Sequence, residues 1–266
     1  MKIALFDMDG TLTLPRGKMK YNMSVSLSKL QNAGYKVGIV TGSGMDYIVQ
    51  QCAVMFDLSP VDYLNIDYFP CNGTKSYRYS GGRQLADLVY EKHMRDHIGR
   101  DIYSDIIYEL ASFQCRLRSA PYGKKIPLTG NFIDCRGSMI NWCPIGRNAS
   151  QSEREEWQAL DKEHNIRINI LKNFFNIDMF KNLSVKLGGS TSFDIFPVGW
   201  NKTFVLSNFN ADDEIYFFGD RCEGDGNDKE LYEALLARDG CHAFKTENPS
   251  QTMDLIEKLL KGSSNE

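Results

Sequence analysis

The sequence predicts an α/β protein: a parallel-sheet core, interrupted in the chain by an α+β insertion. Three observations carry this. Short apolar runs at 2–6, 35–40 and 214–218 each end in an acidic or hydroxyl residue, as central strands buried on both faces do. A helical pattern separates the first two runs, the spacing of a βαβ unit. Between about 82 and 197 the alternation gives way to helices and strands in another order, and it returns after Trp200. The expected organisation is a core from 1–81 and 198–266 with an insert from 82–197, and a cleft between the two domains.

In order along the chain, the strand at 2–6 is followed by a helix carrying Met23, Val25, Leu27 and Leu30 on one face. The strand at 35–40 runs into Thr41-Gly42-Ser43, and a helix through Tyr47, Ile48, Gln51 and Cys52 follows. After an extended segment near 63–69, Ser80-Gly81-Gly82 reads as a turn. The insert opens with amphipathic helices expected at about 85–98 and 101–113, then a strand pair near 130–136 and 138–144. The charged stretch 151–163 and the segment 166–176 read as helices, and 184–187 and 192–196 as strands. A helix near 202–208, the strand at 214–218 and a final helix near 249–261 complete the core, ahead of a frayed tail.

Composition narrows the function classes. Apolar residues make up 42% and charged residues 24% of the 266, with a formal net charge of −3. That balance offers no global basic field for nucleic acid or an anionic membrane. No apolar run approaches the roughly 18–20 residues of a membrane span, and the apolar start is too short for a secretory leader, so a cytoplasmic protein is expected. Seven cysteines without a Cys-x-x-Cys pair read as reduced thiols rather than a disulfide frame or a zinc site. His93 and His97 lack the Glu of a His-Glu-x-x-His motif, and the tryptophans 142, 157 and 200 read as packing anchors.

The chemistry concentrates at strand ends. Asp7 and Asp9 close the first strand, and residues two apart on an extended chain point the same way. Asp220 closes the strand at 214–218, and Asp228 follows in Gly226-Asn227-Asp228. In parallel α/β sheets ligands bind beyond the carboxyl ends of the strands. Carboxylates gathered there repel one another unless a hard cation is bound, and magnesium is the expected ion. A lone Asp-x-Asp-Gly is as often a turn as a site; two acidic strand ends, with Thr41 and Lys202 between them in sequence, favour the site.

Asp7-Met8-Asp9-Gly10-Thr11, Thr41, Lys202 and the pair Asp220 and Asp228 resemble, in order, the four motifs of the haloacid dehalogenase-like phosphotransferases. The likeness is closer to one branch, the eukaryotic-type phosphomannomutases, through Pro15-Arg16, Pro144-Ile145-Gly146-Arg147, Ser152-Glu153-Arg154, the run Gly188-Gly189-Ser190-Thr191-Ser192-Phe193-Asp194, and Gly199-Trp200-Asn201-Lys202. The resemblance implies a Rossmann-like core with an α+β cap. It also implies an enzyme that interconverts mannose 6-phosphate and mannose 1-phosphate through an aspartyl phosphate and a hexose bisphosphate, primed by hexose 1,6-bisphosphate as activator. It assigns Asp7 as nucleophile, Asp9 as general acid and base, Lys202 as a charge-neutralising residue, and Thr41, with Ser43 as rival, to a phosphoryl oxygen. Mg²⁺ is assigned to Asp7, Asp220, Asp228 and the Asp9 main chain.

A mutase needs a second phosphate site away from its nucleophile, and arginine binds phosphate through a planar fork. The resemblance gives that site to Arg136, Arg147 and Arg154, with Arg16 in the core and with Ser192 and Asp194 for the sugar hydroxyls. A solvated arginine is the plain alternative for each. The family's second cation loop has no counterpart in 231–237, which lacks its Asp and Thr, and Cys71-Asn72-Gly73 stands where Glu-Asn-Gly is usual. The resemblance implies a homodimer through the caps. Two other readings stay open: a sugar-phosphate phosphatase of the same superfamily, which would not need the arginine set, and a silent binding protein, against which the intact Asp7, Asp9, Lys202 and Asp220 argue.

Overall fold

In the computed structural model, described for residues 1–57, 59–80, 86–174 and 176–263, the chain forms two units, Met1–Glu91 with Trp200–Glu266 and Lys92–Gly199. The elements of the first unit begin with β1 (Lys2–Phe6), α1 (Tyr21–Asn32), β2 (Lys36–Val40), α2 (Met45–Gln51), β3 (Ile66–Phe69), β4 (Lys75–Arg78) and β5 (Asp87–Glu91). The second unit holds α3 (Met94–Ile98), α4 (Arg100–Ser119), β6 (Ile133–Cys135), β7 (Ile140–Trp142), α5 (Gln151–His164), α6 (Ile166–Phe174), β8 (Leu183–Gly188) and β9 (Ser192–Pro197). The chain then returns to the first unit with a 3-10 helix at Lys202–Asn208, β10 (Glu214–Gly219), α7 (Lys229–Leu236), β11 (His242–Lys245) and α8 (Pro249–Ser263).

The first unit is a seven-stranded sheet in the order β11-β10-β1-β2-β3-β4-β5, parallel from β11 to β3 and antiparallel beyond. β1 shows why its sequence is apolar from Ile3 to Phe6. Ala4 and Phe6 face a core built with Met23, Leu27, Leu30, Ile48 and Ile256, and Ile3 and Leu5 face another built with Val205, Leu231 and Leu235. Helices α1, α2 and α8 thus cover one face, and α7 with the 3-10 helix covers the other, so neither pleat can be polar. Stacked rings, Phe6 on Phe218 at 4.7 Å and Phe218 on Phe244 at 4.8 Å, tie β1, β10 and β11 across one face.

The second unit is a four-stranded antiparallel sheet in the order β6-β7-β9-β8, backed by helices. Its core is aromatic: Trp142 stacks on Phe193 at 5.1 Å, and Phe174 meets both rings. The Trp142 indole N–H donates to Gln114 at 2.9 Å, which satisfies its one buried polar group. Helix α5 opens on a capping box, with Ser150 and Glu153 bonding each other's main chain.

Several expectations are corrected. The helix expected at about 85–98 is strand β5 followed by the short α3. Leu88 and Val89 are exposed on this last strand of the sheet, so burial imposes no period on it; the ladder to β4 and the Lys75–Glu91 ion pair hold it instead. The 81/82 boundary and the turn at Gly81-Gly82 lie outside the described residues, but the large sheet runs on to Glu91, ten residues past that boundary. The segment 202–208 is helical but of the tighter 3-10 kind, and β4, α7 and β11 are additional elements.

Candidate active site

The parallel register of three strands assembles the core site. β1 lies between β10 and β2, with Phe6 opposite Phe218 and Ile39, so the three strands finish together. Asp7 then follows Phe6, Thr41 follows Val40, and Asp220 follows Gly219 at one edge of the sheet. The Asp7 N–H donates to Phe218 O at 2.9 Å, which extends the ladder one residue and fixes the Asp7 backbone. Thr41 is held likewise, its N–H on Phe69 O at 3.1 Å, and its hydroxyl accepts the Ser43 N–H at 3.1 Å.

Asp7, Asp220 and Asp228 each present a carboxylate oxygen, and the three atoms lie within 4.8 Å of one another. Lys202 sits among them, buried, and its ammonium donates to Asp7 Oδ1 and to Asp228 Oδ1. Three carboxylates around one ammonium leave negative charge in excess. Burial, reinforced by Asp228, pushes the Asp7 carboxyl up to about 8, although Lys202 pulls the other way. Burial and Asp228 push Asp220 up to about 6. Burial also opposes the Lys202 ammonium, but the Asp228 and Asp7 carboxylates outweigh it and hold its pKa above the ordinary lysine value.

A hard divalent cation fits these residues. Asp220 Oδ1 is buried without a hydrogen-bond partner, Asp7 Oδ2 accepts no hydrogen bond among the described residues, and the donor set is all oxygen. Two glycines shape the place. Gly10 has φ +87°, and a Cβ there would stand 2.2 Å from Asp220 Oδ2; a Cβ on Gly219 would stand 2.9 Å from Asp228 Oδ2.

Asp9 is held apart from the trio, its Oδ1 taking the Arg16 N–H at 2.8 Å. Its carboxylate therefore stands outside the cluster, which leaves its main chain as the expected cation ligand. Arg16 has φ +58° in an exposed loop, so it is the Arg16 backbone that touches Asp9. Beneath this loop lies Gln51, a residue the sequence reading placed only in a helix pattern. Gln51 is buried beside the Thr13 hydroxyl at 2.8 Å, and with its amide turned to donate it reaches Asp9 Oδ1 at 3.3 Å and Gly17 O at 3.1 Å.

The second unit gathers its expected residues around the four-stranded sheet. Arg136 Nε donates to Asp134 Oδ2 at 2.9 Å, and Arg147 Nε lies 3.4 Å from the same oxygen. Ser192 and Asp194 alternate on β9 and both meet Asn141, as does Arg147. Arg154 reaches in from α5: Nε to Ala149 O at 3.0 Å, Nη2 to Arg147 O at 3.0 Å and Nη1 to Thr191 Oγ1 at 3.3 Å. Those bonds brace the turn that carries Arg147. Asp134 and Asn141 were absent from the sequence-predicted set. Their signal was faint: a short acid before Arg136, and one amide between the apolar Ile140 and Trp142.

All seven cysteines are free, and among the described residues no helix is long and apolar enough to cross a membrane. The pattern that defines the family described as eukaryotic phosphomannomutase matches residues 23–262. A phosphomannomutase of Dendrobium officinale is 35% identical over 236 residues, 87% of this chain and 85% of that protein. Phosphomannomutase 2 of Dictyostelium discoideum is 32% identical over 263 residues, 97% of this chain and 96% of that one. Among solved structures, IMP-bound, N-terminally truncated IMP-nucleotidase of Plasmodium falciparum has a TM-score of 0.60 at 15% identity, covering 98% of this chain and 68% of that chain. A haloacid dehalogenase-like hydrolase from Bacteroides thetaiotaomicron has a TM-score of 0.57 at 14% identity, covering 97% and 99%. At such identities the two structures share the fold: an α/β core of haloacid dehalogenase-like type.

Proposed function

The chain belongs to the eukaryotic phosphomannomutase family, and from that premise we propose that it interconverts mannose 6-phosphate and mannose 1-phosphate by passing a phosphoryl group through Asp7. The observation that carries this reading is the clamp on Asp7: one carboxylate oxygen held by a buried Lys202, the other open, beside two further carboxylates. A carboxylate meets an anionic phosphate only where positive charge is fixed around it. Mg²⁺ on Asp7, Asp220, Asp228 and the Asp9 carbonyl would supply neutralising charge to the phosphoryl oxygens.

Asp7 Oδ2 attacks a phosphorus of a hexose 1,6-bisphosphate; the bond to the sugar oxygen breaks, and Asp9, protonated, gives that oxygen its proton. Mannose 1-phosphate then presents its free 6-hydroxyl to the aspartyl phosphate. Asp9 takes the hydroxyl proton, the oxygen attacks the aspartyl phosphate, and the Asp7 carboxylate is released. The bisphosphate so formed turns and returns its 1-phosphate to Asp7, leaving mannose 6-phosphate. Lys202 holds Asp7 in line throughout, and the Thr41 or Ser43 hydroxyl binds a phosphoryl oxygen. The phosphate not reacting is bound by Arg136, Arg147 and Arg154, and Arg16 is a substrate-binding residue of the first unit. Ser192 and Asp194 take the sugar hydroxyls. The expected setting is a cytoplasmic homodimer joined through the insert units.

A coupled assay tests this reading. With mannose 1-phosphate, Mg²⁺ and a trace of glucose 1,6-bisphosphate, the protein should form mannose 6-phosphate. Release of inorganic phosphate without mannose 6-phosphate would replace the mutase with a sugar-phosphate phosphatase.

A further inference from the structure

The face of the insert sheet opposite its aromatic core carries one polar row. Asp134 on β6 stands opposite Asn141 on β7, Asn141 stands opposite Asp194 on β9, and Asp194 stands opposite Lys186 on β8. Directly paired residues of an antiparallel sheet share a face and lie close enough to bond. Asn141 is the neutral centre of the row, and it is buried. Its Nδ2 donates to Asp194 Oδ1 at 2.7 Å and to Ser192 Oγ at 3.0 Å, with Phe193 O farther at 3.4 Å. Its Oδ1 accepts from Arg147 Nη1 at 3.0 Å. The partners themselves set the orientation of the amide, because a carboxylate demands the NH₂ and a guanidinium demands the oxygen.

One side chain therefore joins an arginine expected to grip phosphate to the two residues expected to grip sugar hydroxyls. Arg147 is further restrained by Asp134, which holds Arg136 as well. Hydroxyl pattern and phosphate position in a hexose phosphate are separated by a fixed distance, so the groups that read them must also be fixed. We propose that Asn141 is the positioning residue of the sugar-phosphate site: it sets Arg147 against Ser192 and Asp194, and thereby sets how tightly hexose phosphates are held. The inference rests on the functional reading above, and it assigns Asn141 no contact with the reacting atoms.

Asn141→Asp tests the idea most sharply. It keeps size and an acceptor for Arg147, but it turns two donors toward Asp194 and Ser192 into lone pairs. Asn141→Ala removes all the bonds. For both, KM for mannose 1-phosphate should rise about tenfold to a hundredfold, the range expected when one hydrogen bond to a charged group is lost. The kcat at saturation and the Asp7-dependent turnover of p-nitrophenyl phosphate, which needs no sugar site, should stay within about threefold of the parent. Asn141→Ser can keep one bond at a time and should fall between; it carries the test if Asn141→Asp does not fold. A folded variant with KM within about twofold of the parent, or a parallel loss of p-nitrophenyl phosphate turnover, overturns the assignment. If the parent protein hydrolyses mannose 1-phosphate without isomerising it, the functional reading fails, yet the same KM comparison on hydrolysis still judges Asn141.

Discussion

Replacing Lys202 by Met keeps the volume of the side chain and deletes its charge. The ammonium is the one cation bonded to both Asp7 and Asp228 among the described residues, and all three groups are buried. Breaking a buried ion pair by removing one partner costs about 3–5 kcal/mol, because the remaining charge is left uncompensated. For a chain of this size each kcal/mol is worth roughly 2–4 °C, so the metal-free melting temperature should fall by about 6–20 °C. The sign with pH follows from the carboxylates. Lys202 lowers the Asp7 pKa, so its removal raises that pKa further, and the folded protein holds its proton to higher pH. A raised acid contributes stability in full below its unfolded value and loses it as pH rises. The gap between parent and variant should therefore be wider at pH 8 than at pH 5, and thermal melts in the two buffers measure it. Turnover should fall about a hundredfold to a thousandfold, the loss typical for one preorganised electrostatic partner. A melting temperature within 2 °C of the parent at both pH values would refute the reasoning (about 2 °C being less than 1 kcal/mol here).

Gly10→Ala should destabilise the protein by about 1–3 kcal/mol and weaken Mg²⁺ affinity at least severalfold, since the new methyl would fall 2.2 Å from Asp220 Oδ2 at a φ of +87°; melts and a Mg²⁺ titration followed by calorimetry check both. In the parent protein without metal, the Asp7 contribution to stability should decline from pH 4 toward pH 8 by up to about 1.4 kcal/mol per unit, with a smaller decline from the partly exposed Asp220 ending near 6. Because a cation needs these carboxylates deprotonated, added Mg²⁺ should raise the melting temperature more at pH 8 than at pH 5. Arg154→Ala should reduce mannose phosphate isomerisation about tenfold or more and leave p-nitrophenyl phosphate hydrolysis nearly unchanged, as steady-state assays on both substrates would report.

The central strands were legible because parallel strands covered on both faces must be apolar throughout, and the acids that end them mark the sheet edge where ligands collect. Asp7, Thr41 and Asp220 fall at that edge. Strand β5 was not legible: its Leu88 and Val89 are exposed, so hydrophobic period gives no guide, and only pairing with β4 makes it a strand. Helix α7 has only Leu231 and Leu235 buried, a single i, i+4 pair in a short segment. Gln51 and Asn141 show the limit for sites. Neutral amides carry no charge signature, and their importance arises from partners 38 and 53 residues away in sequence, Thr13 and Asp194, that only the fold brings near. Most charged members of the two clusters stand out in the sequence; Asp134 and the amides that hold them do not.

The proposed passage of phosphate through Asp7 is tested most directly by trapping it. The protein is mixed with hexose 1,6-bisphosphate labelled in phosphorus and with Mg²⁺, quenched in acid within the turnover time, digested and mapped. The account predicts one phosphoryl group, stable in acid and lost in hydroxylamine, on the peptide that contains Asp7, and none in Asp7→Asn. Label on another residue, or equal labelling of parent and Asp7→Asn, would contradict it.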